Sequence, residues 1–195
     1  MNLHQLDTLH VHQKVTLMVN RYEVFADDGH GEPGALVAFV EQKRMTFKEQ
    51  VTVYTGADKA TVLAGFKARK VIDLGSGYDV VDHTGTPIGF FRKDFGASLT
   101  NSTWHVDTPV GPVTGRERSQ GVAVLRRIWD FLPLVDSVPF PFRYHFDFVR
   151  DGVAVFTVDK KTWLRDHYLV RIADPNLDRR VVIAQAVALD ALQGR

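Results

Sequence analysis

The sequence contains no cysteine, which excludes disulfides, thiolate metal sites, cysteine nucleophiles and cysteine-attached lipid anchors. It also has almost no charge imbalance, with 24 lysines and arginines against 23 aspartates and glutamates and a formal net charge of +1. Dedicated nucleic-acid binders carry a strongly basic domain, so no nucleic-acid partner is expected. Residues Met1 to Leu9 form neither a basic n-region nor an apolar h-region. The expectation is a cytoplasmic protein without a transmembrane segment. The familiar catalytic signatures are missing too: there is no H-E-x-x-H, P-loop or zinc-ligand pair, and Gly75-Ser76-Gly77 lacks the spacing of a nucleophile elbow. Gly29-His30-Gly31-Glu32-Pro33-Gly34 satisfies G-x-G-x-x-G literally, but a dinucleotide fingerprint needs a helix to begin there, and Pro33 followed by Ala35 to Val40 reads as a strand. No catalytic residue, cofactor or metal is therefore expected, and the chain reads as a non-enzyme.

What is present begins with a segment that has no wet face. Residues 178–193 read as a helix: Asn176 or Asp178 can cap its start, alanines and leucines favour its interior, and Gly194 follows its end. Val181, Val182, Ile183, Ala184, Ala186, Val187, Ala188, Leu189, Ala191 and Leu192 point in every direction around it, and a helix apolar all round must be buried. From Val181 to Leu192 it spans only about 18 Å, against about 30 Å of bilayer hydrocarbon. Protein must surround it.

The rest of the chain supplies the wall. His4, His10 and His12 invite a metal reading, but no neighbour in sequence offers a second shell or a known spacing, and they read instead as the approach to a strand from His10 through Val19. Hairpins then repeat. Arg21 to Ala26 turns at Asp27-Asp28-Gly29 and returns as Ala35 to Val40; similar units follow around Gly56-Ala57-Asp58, Asp82 to Pro87, Asp107-Thr108-Pro109 and Asp151-Gly152. Five hairpins, an opening strand and a closing one at His167 to Ile172 make about twelve strands. Eight-stranded barrels fill their interiors with side chains, whereas an eleven-stranded can encloses a helix. The expected fold is mainly β: a closed antiparallel barrel around the C-terminal helix, forming a single domain over residues 1–195. Alternating Val62, Ala64, Phe66 and Ala68 are expected to face inward. Residues 120–142 interrupt the meander, beginning as an amphipathic helix stopped by Pro133, Pro139 and Pro141. This helix is expected to plug one barrel mouth, and its Trp129 and Phe131 are candidate contacts for a membrane or a protein partner.

The order of several motifs is similar to the LURP-one-related and phospholipid scramblase-like families, both related to the tubby C-terminal domain. These are Gln13-Lys14 through Asn20-Arg21-Tyr22-Glu23-Val24-Phe25, the Asp-x-x-Gly turns, Leu125 to Pro133 before Pro139-Phe140-Pro141-Phe142, and the closing Asp178-Arg179-Arg180 helix ending in Asp190. The resemblance implies a twelve-stranded barrel threaded by the C-terminal helix. For function it implies phosphoinositide head groups in tubby domains and calcium-triggered lipid movement in scramblases. The scramblases' cysteine cluster is absent here and no segment matches their calcium loop, so no site is carried over.

Charge is distributed unevenly over the repeat. In a meander all tight turns lie at one end and all connections between hairpins at the other. The turns carry Asp27, Asp28, Glu32, Asp58, Asp82, Asp107 and Asp151; the opposite ends carry Lys43, Arg44, Lys67, Arg69, Lys70, Arg92, Lys93, Arg116, Arg118, Lys160 and Lys161. Aspartate is a good turn former and strand-end cations discourage edge pairing, which is the structural account of the same pattern. The functional account is a basic rim that binds an anionic phospholipid head group or a peripheral membrane surface. A protein-interaction module without a lipid role is the alternative, and Asp27, Asp28 and Glu32 alone are dense enough to suggest a divalent ion.

Overall fold

The computed structural model describes residues 2–15, 19–43, 50–69, 77–94, 103–118, 145–162 and 167–193. Twelve strands form one closed antiparallel barrel in which every strand pairs with its neighbours in sequence. They are β1 (Thr8–Val15), β2 (Val19–Asp27), β3 (Pro33–Lys43), β4 (Gln50–Tyr54), β5 (Val62–Ala68), β6 (Tyr78–Asp82), β7 (Pro87–Asp94), β8 (Thr103–Thr108), β9 (Gly111–Glu117), β10 (His145–Arg150), β11 (Val153–Lys160) and β12 (His167–Ile172). The seam is β1 against β12, in register from Thr8 opposite Arg171 to His12 opposite His167. The first strand is thus shorter than expected: β1 ends at Val15 and β2 has already begun at Val19. The 120–142 segment, with Trp129 and Phe131, lies outside the described residues.

Helix α1 (Arg179–Gln193) fills the barrel. Asp178 caps it, its carboxylate accepting the Arg180 N–H at 2.9 Å, while Asn176 lies one turn upstream in the connecting loop. Every residue from Val181 to Leu189 is at most 1% exposed, as the all-round apolar pattern requires. Because β12 ends at the hairpin-turn end, α1 enters the barrel there and runs toward the opposite, connector end. Arg179 locks the entrance. Its guanidinium donates to the carbonyls of Leu6, Asp174, Pro175 and Leu177 at 2.8, 3.1, 3.0 and 2.6 Å, and burial holds its pKa below the usual arginine value.

Small residues bring the wall close to the helix on one side. The α1 backbone approaches β5 and β7 most closely, where Ala64 and Gly89 stand. A Cβ on Gly89 would lie 2.9 Å from Val181 Cγ2 and 3.2 Å from the Asp107 carbonyl. On the β8 to β11 side the gap is filled by Trp104, Phe146, Phe148 and Phe156. There Gly115 leaves room for the Phe148 ring, which stacks on Phe156 with centroids 4.0 Å apart. Val62 departs from the expected inward row. It is 39% exposed, because a bulge between Val53 and Tyr54 shifts the β5 register, so that Val53 faces Ala64 while Tyr54 faces Val62.

Candidate functional site

The meander places the strand-end cations at the connector end, but the returning strands open there with acids. Arg69 forms a fork with Asp79 at 2.7–3.0 Å and lies over the Phe90 ring at 3.9 Å. Arg118 pairs with Asp147 in the same way, holding that carboxyl below the usual range. Lys160 is 4% exposed, pointing inward with Nζ 6.0 Å from the centre of the Tyr168 ring. Lys67, Arg92 and Arg116 are exposed with no carboxylate partner among the described residues, and Lys161 is half-buried just beyond β11. Lys93 is half-buried and engaged. Lys43 ends β3. Arg44 and Lys70 lie outside the described residues.

At the turn end the aspartates serve the backbone. Asp28 Oδ1 accepts the N–H groups of His30 and Glu32 at 2.7 and 3.1 Å, and Asp82 Oδ1 those of Thr84 and Thr86 at 2.8 and 3.0 Å. These are Asx turns, and β3 follows the first of them from Pro33, so the G-x-G-x-x-G match opens no helix. Cations are present at this end too: Arg150 pairs with Asp174 at 2.6 Å and Arg180 with Asp178 at 2.7 Å. The two-ended charge pattern is thus reduced by local pairing at both ends.

Inside the connector end lies a polar layer that the sequence pattern did not single out. Asp190 on α1 accepts from Gln13 Nε2 at 2.6 Å, from the Tyr22 hydroxyl at 2.7 Å and from the Tyr168 hydroxyl. Nearby in the wall, Asn20 donates to Gln42 at 3.0 Å, both buried. The signal was available in the inward parity of Gln13, Asn20 and Gln42 on their strands.

A second cluster sits on the outside of the β1–β12 seam. Leu9 and Val11 face inward, so alternation turns His10 and His12 outward together. Strand pairing sets His167 opposite His12. One ring nitrogen from each of the three histidines lies within 4.8 Å of the other two; His4 is not part of the group. His10 Nδ1 is 3.1 Å from His167 Nε2, and the His12 and His167 ring centres are 4.2 Å apart. On its far side His10 Nε2 donates to Asp27 at 2.9 Å. That bond, with the Gly29 N–H, holds the Asp27 carboxyl below its ordinary range. His10 is 1% exposed despite its outer position. Burial and the neighbouring rings push His167 down to about 4 and also lower His12. Sequence neighbours gave these histidines no partner; the fold supplies the Asp27 carboxylate from β2 and a third ring from β12.

A search of curated proteins finds no match. The family model LURP-one-related matches residues 36–190, from β3 to the Asp190 carboxylate that gathers the two tyrosines. That span takes in ten of the twelve strands and nearly all of the enclosed helix. A twelve-stranded barrel threaded by its helix is the architecture the resemblance implied, and the chain belongs to the LURP-one-related family.

Proposed function

We propose that this barrel is a non-catalytic binding module that takes anionic phospholipid or phosphoinositide head groups at its connector end, acting peripherally at a membrane surface. The observation that carries the reading is the set Lys67, Arg92 and Arg116. They lie near the outgoing ends of β5, β7 and β9, exposed and without carboxylate partners among the described residues. Cations of this kind attract phosphate even in a chain of nearly zero net charge. Arg69 and Arg118, which are forked to their own aspartates, contribute less. The non-catalytic part is supported by the carboxylates themselves: those of the turns accept backbone N–H groups, and Asp190 accepts side-chain donors.

Co-sedimentation with liposomes tests the proposal. Retention is expected with vesicles containing anionic phospholipid, weakening as salt is added and falling at least about tenfold when Lys67, Arg92 and Arg116 are together replaced by glutamate. Equal retention on neutral vesicles, or none on either kind, defeats it. Retention that persists through the triple charge reversal moves the contact elsewhere, with Trp129 and Phe131 next to be substituted.

A further inference from the structure

We propose that His10, His12 and His167 form a binding site for a divalent late first-row transition metal, zinc foremost, that clasps β1 to β12 across the barrel seam. The donor set fits such an ion. Imidazole suits zinc, copper and nickel, and three protein ligands with a fourth position left open is a recurrent zinc arrangement. Zinc–nitrogen bonds of about 2.0–2.1 Å in a tetrahedron put ligand nitrogens about 3.3 Å apart. His10 Nδ1 and His167 Nε2 are already 3.1 Å apart, and all three ligand nitrogens fall within 4.8 Å of one another. His12 Nε2 is buried and has no hydrogen-bond partner among the described residues, so a ligating nitrogen in the cluster is available without breaking a bond they make.

The surroundings are those that a ligating histidine needs. Metal-bound imidazole usually donates its other N–H to a carboxylate or carbonyl, which fixes the tautomer and the ring orientation. His10 does so: Nε2–H is held by Asp27 at 2.9 Å, and in the neutral ring Nδ1 therefore presents a lone pair toward His167. Asp27 is in turn fixed by the N–H groups of Gly29 and Gly31 at 2.8 and 3.4 Å. In the free protein the His167 Nε2–H donates to His10 Nδ1. Metal binding requires that proton to move to Nδ1 of His167, a tautomer change that leaves the ring neutral. Ligands on both strands of the seam make the ion a closure for the barrel, and its binding adds to the stability of the folded chain.

The test uses the full chain, stripped with chelator and free of any histidine tag. Titration calorimetry with zinc chloride at pH 7.5 is expected to give about one ion per chain, with a rise in Tm, and cobalt(II) to give the visible absorption of a low-coordinate nitrogen site. His12→Gln and His167→Gln are expected to weaken binding at least about tenfold, and Asp27→Asn to weaken it by a similar or smaller factor. His30→Gln and His83→Gln, on exposed turns, serve as controls expected to bind as the parent does. No stoichiometric zinc binding and no cobalt spectrum by the unsubstituted chain overturns the proposal, and that arm does not depend on any variant folding. Binding that survives both His12→Gln and His167→Gln also overturns it, by placing the metal on other groups.

Discussion

The Tyr22 hydroxyl on β2 donates to the Asp190 carboxylate on α1 at 2.7 Å, joining barrel wall and helix across 168 positions of sequence. Gln13 and Tyr168 donate to the same carboxylate, so one acid terminates three polar side chains from β1, β2 and β12. Asp190→Asn keeps the shape but turns one acceptor into a donor and removes charge assistance. It is expected to cost roughly 2–3 kcal/mol, and Asp190→Leu more, measured by urea unfolding. A change below about 0.5 kcal/mol in the asparagine variant would show that the carboxylate is not what fixes this end of the helix.

Gly89 and Val181 define how near the helix can lie to β7. Adding a methyl at Gly89 is expected to destabilise by about 1–3 kcal/mol, because the new carbon would meet Val181 Cγ2 at 2.9 Å. Val181→Ala removes the obstructing methyls. The double variant should therefore be more stable than the sum of the single effects. Additivity within about 0.5 kcal/mol in a double-mutant cycle would refute the contact.

Gln185 lies in the middle of α1, 0% exposed, with neither amide atom hydrogen-bonded among the described residues. A buried amide without a partner costs stability, so Gln185→Leu, of similar length, is expected to raise it by about 1–2 kcal/mol. A fall instead would mean that the amide is satisfied by a bound water inside the barrel.

His167 is expected to make the folded chain sensitive to mild acid. Its pKa is about 4 when folded against 6.5 in the unfolded chain, so between those values the unfolded state binds the extra proton. The contribution is complete above pH 6.5 and is lost as pH falls toward 4. The loss is on the order of 2 kcal/mol once partial exposure is discounted. Among the described residues His12, His10 and Lys161 act on His167 directly, and Glu23 and Lys14 act on His12 beside it. Urea midpoints at pH 7.5, 6 and 5 in chelator should decline in the parent and decline less in His167→Gln. Parallel slopes would remove His167 from the account. The turn carboxylates act in a lower window: Asp82, held below its ordinary range chiefly by the Thr84 hydroxyl, loses its contribution only as pH falls below about 4.

Most of the fold was legible because it rests on periodicity. Val181 to Leu189 has no polar stripe, and only an enclosing wall satisfies such a helix; the Asp-Gly turns divide that wall into hairpins. What periodicity does not carry is register. Val62 was misplaced because a single bulge in β5, where Leu63 has no opposite residue on β4, changes the phase of the strand. The basic rim was overdrawn for a related reason. Arg69 and Arg118 are conspicuous at strand ends, but Asp79 and Asp147 open the next strands and meet them only once the pairing is known. The histidine cluster was hidden for a different reason. His10 and His12 share a face by simple alternation, while His167 arrives through the seam 157 positions later. A closed barrel implies that its first and last strands meet, so the third ring could have been sought on β12; its exact opposition to His12 could not.

The seam also dictates the timing of assembly. A nascent chain that has been translated through β11 holds a curling sheet whose greasy concave side has nothing to cover it, since both the partner of β1 and the core-filling helix are still to come. Contacts that distant in sequence make for slow folding and an aggregation-prone interval. Until its closing segment emerges such a chain keeps an apolar surface open to aggregation, and only the last strand and the helix together can cover it.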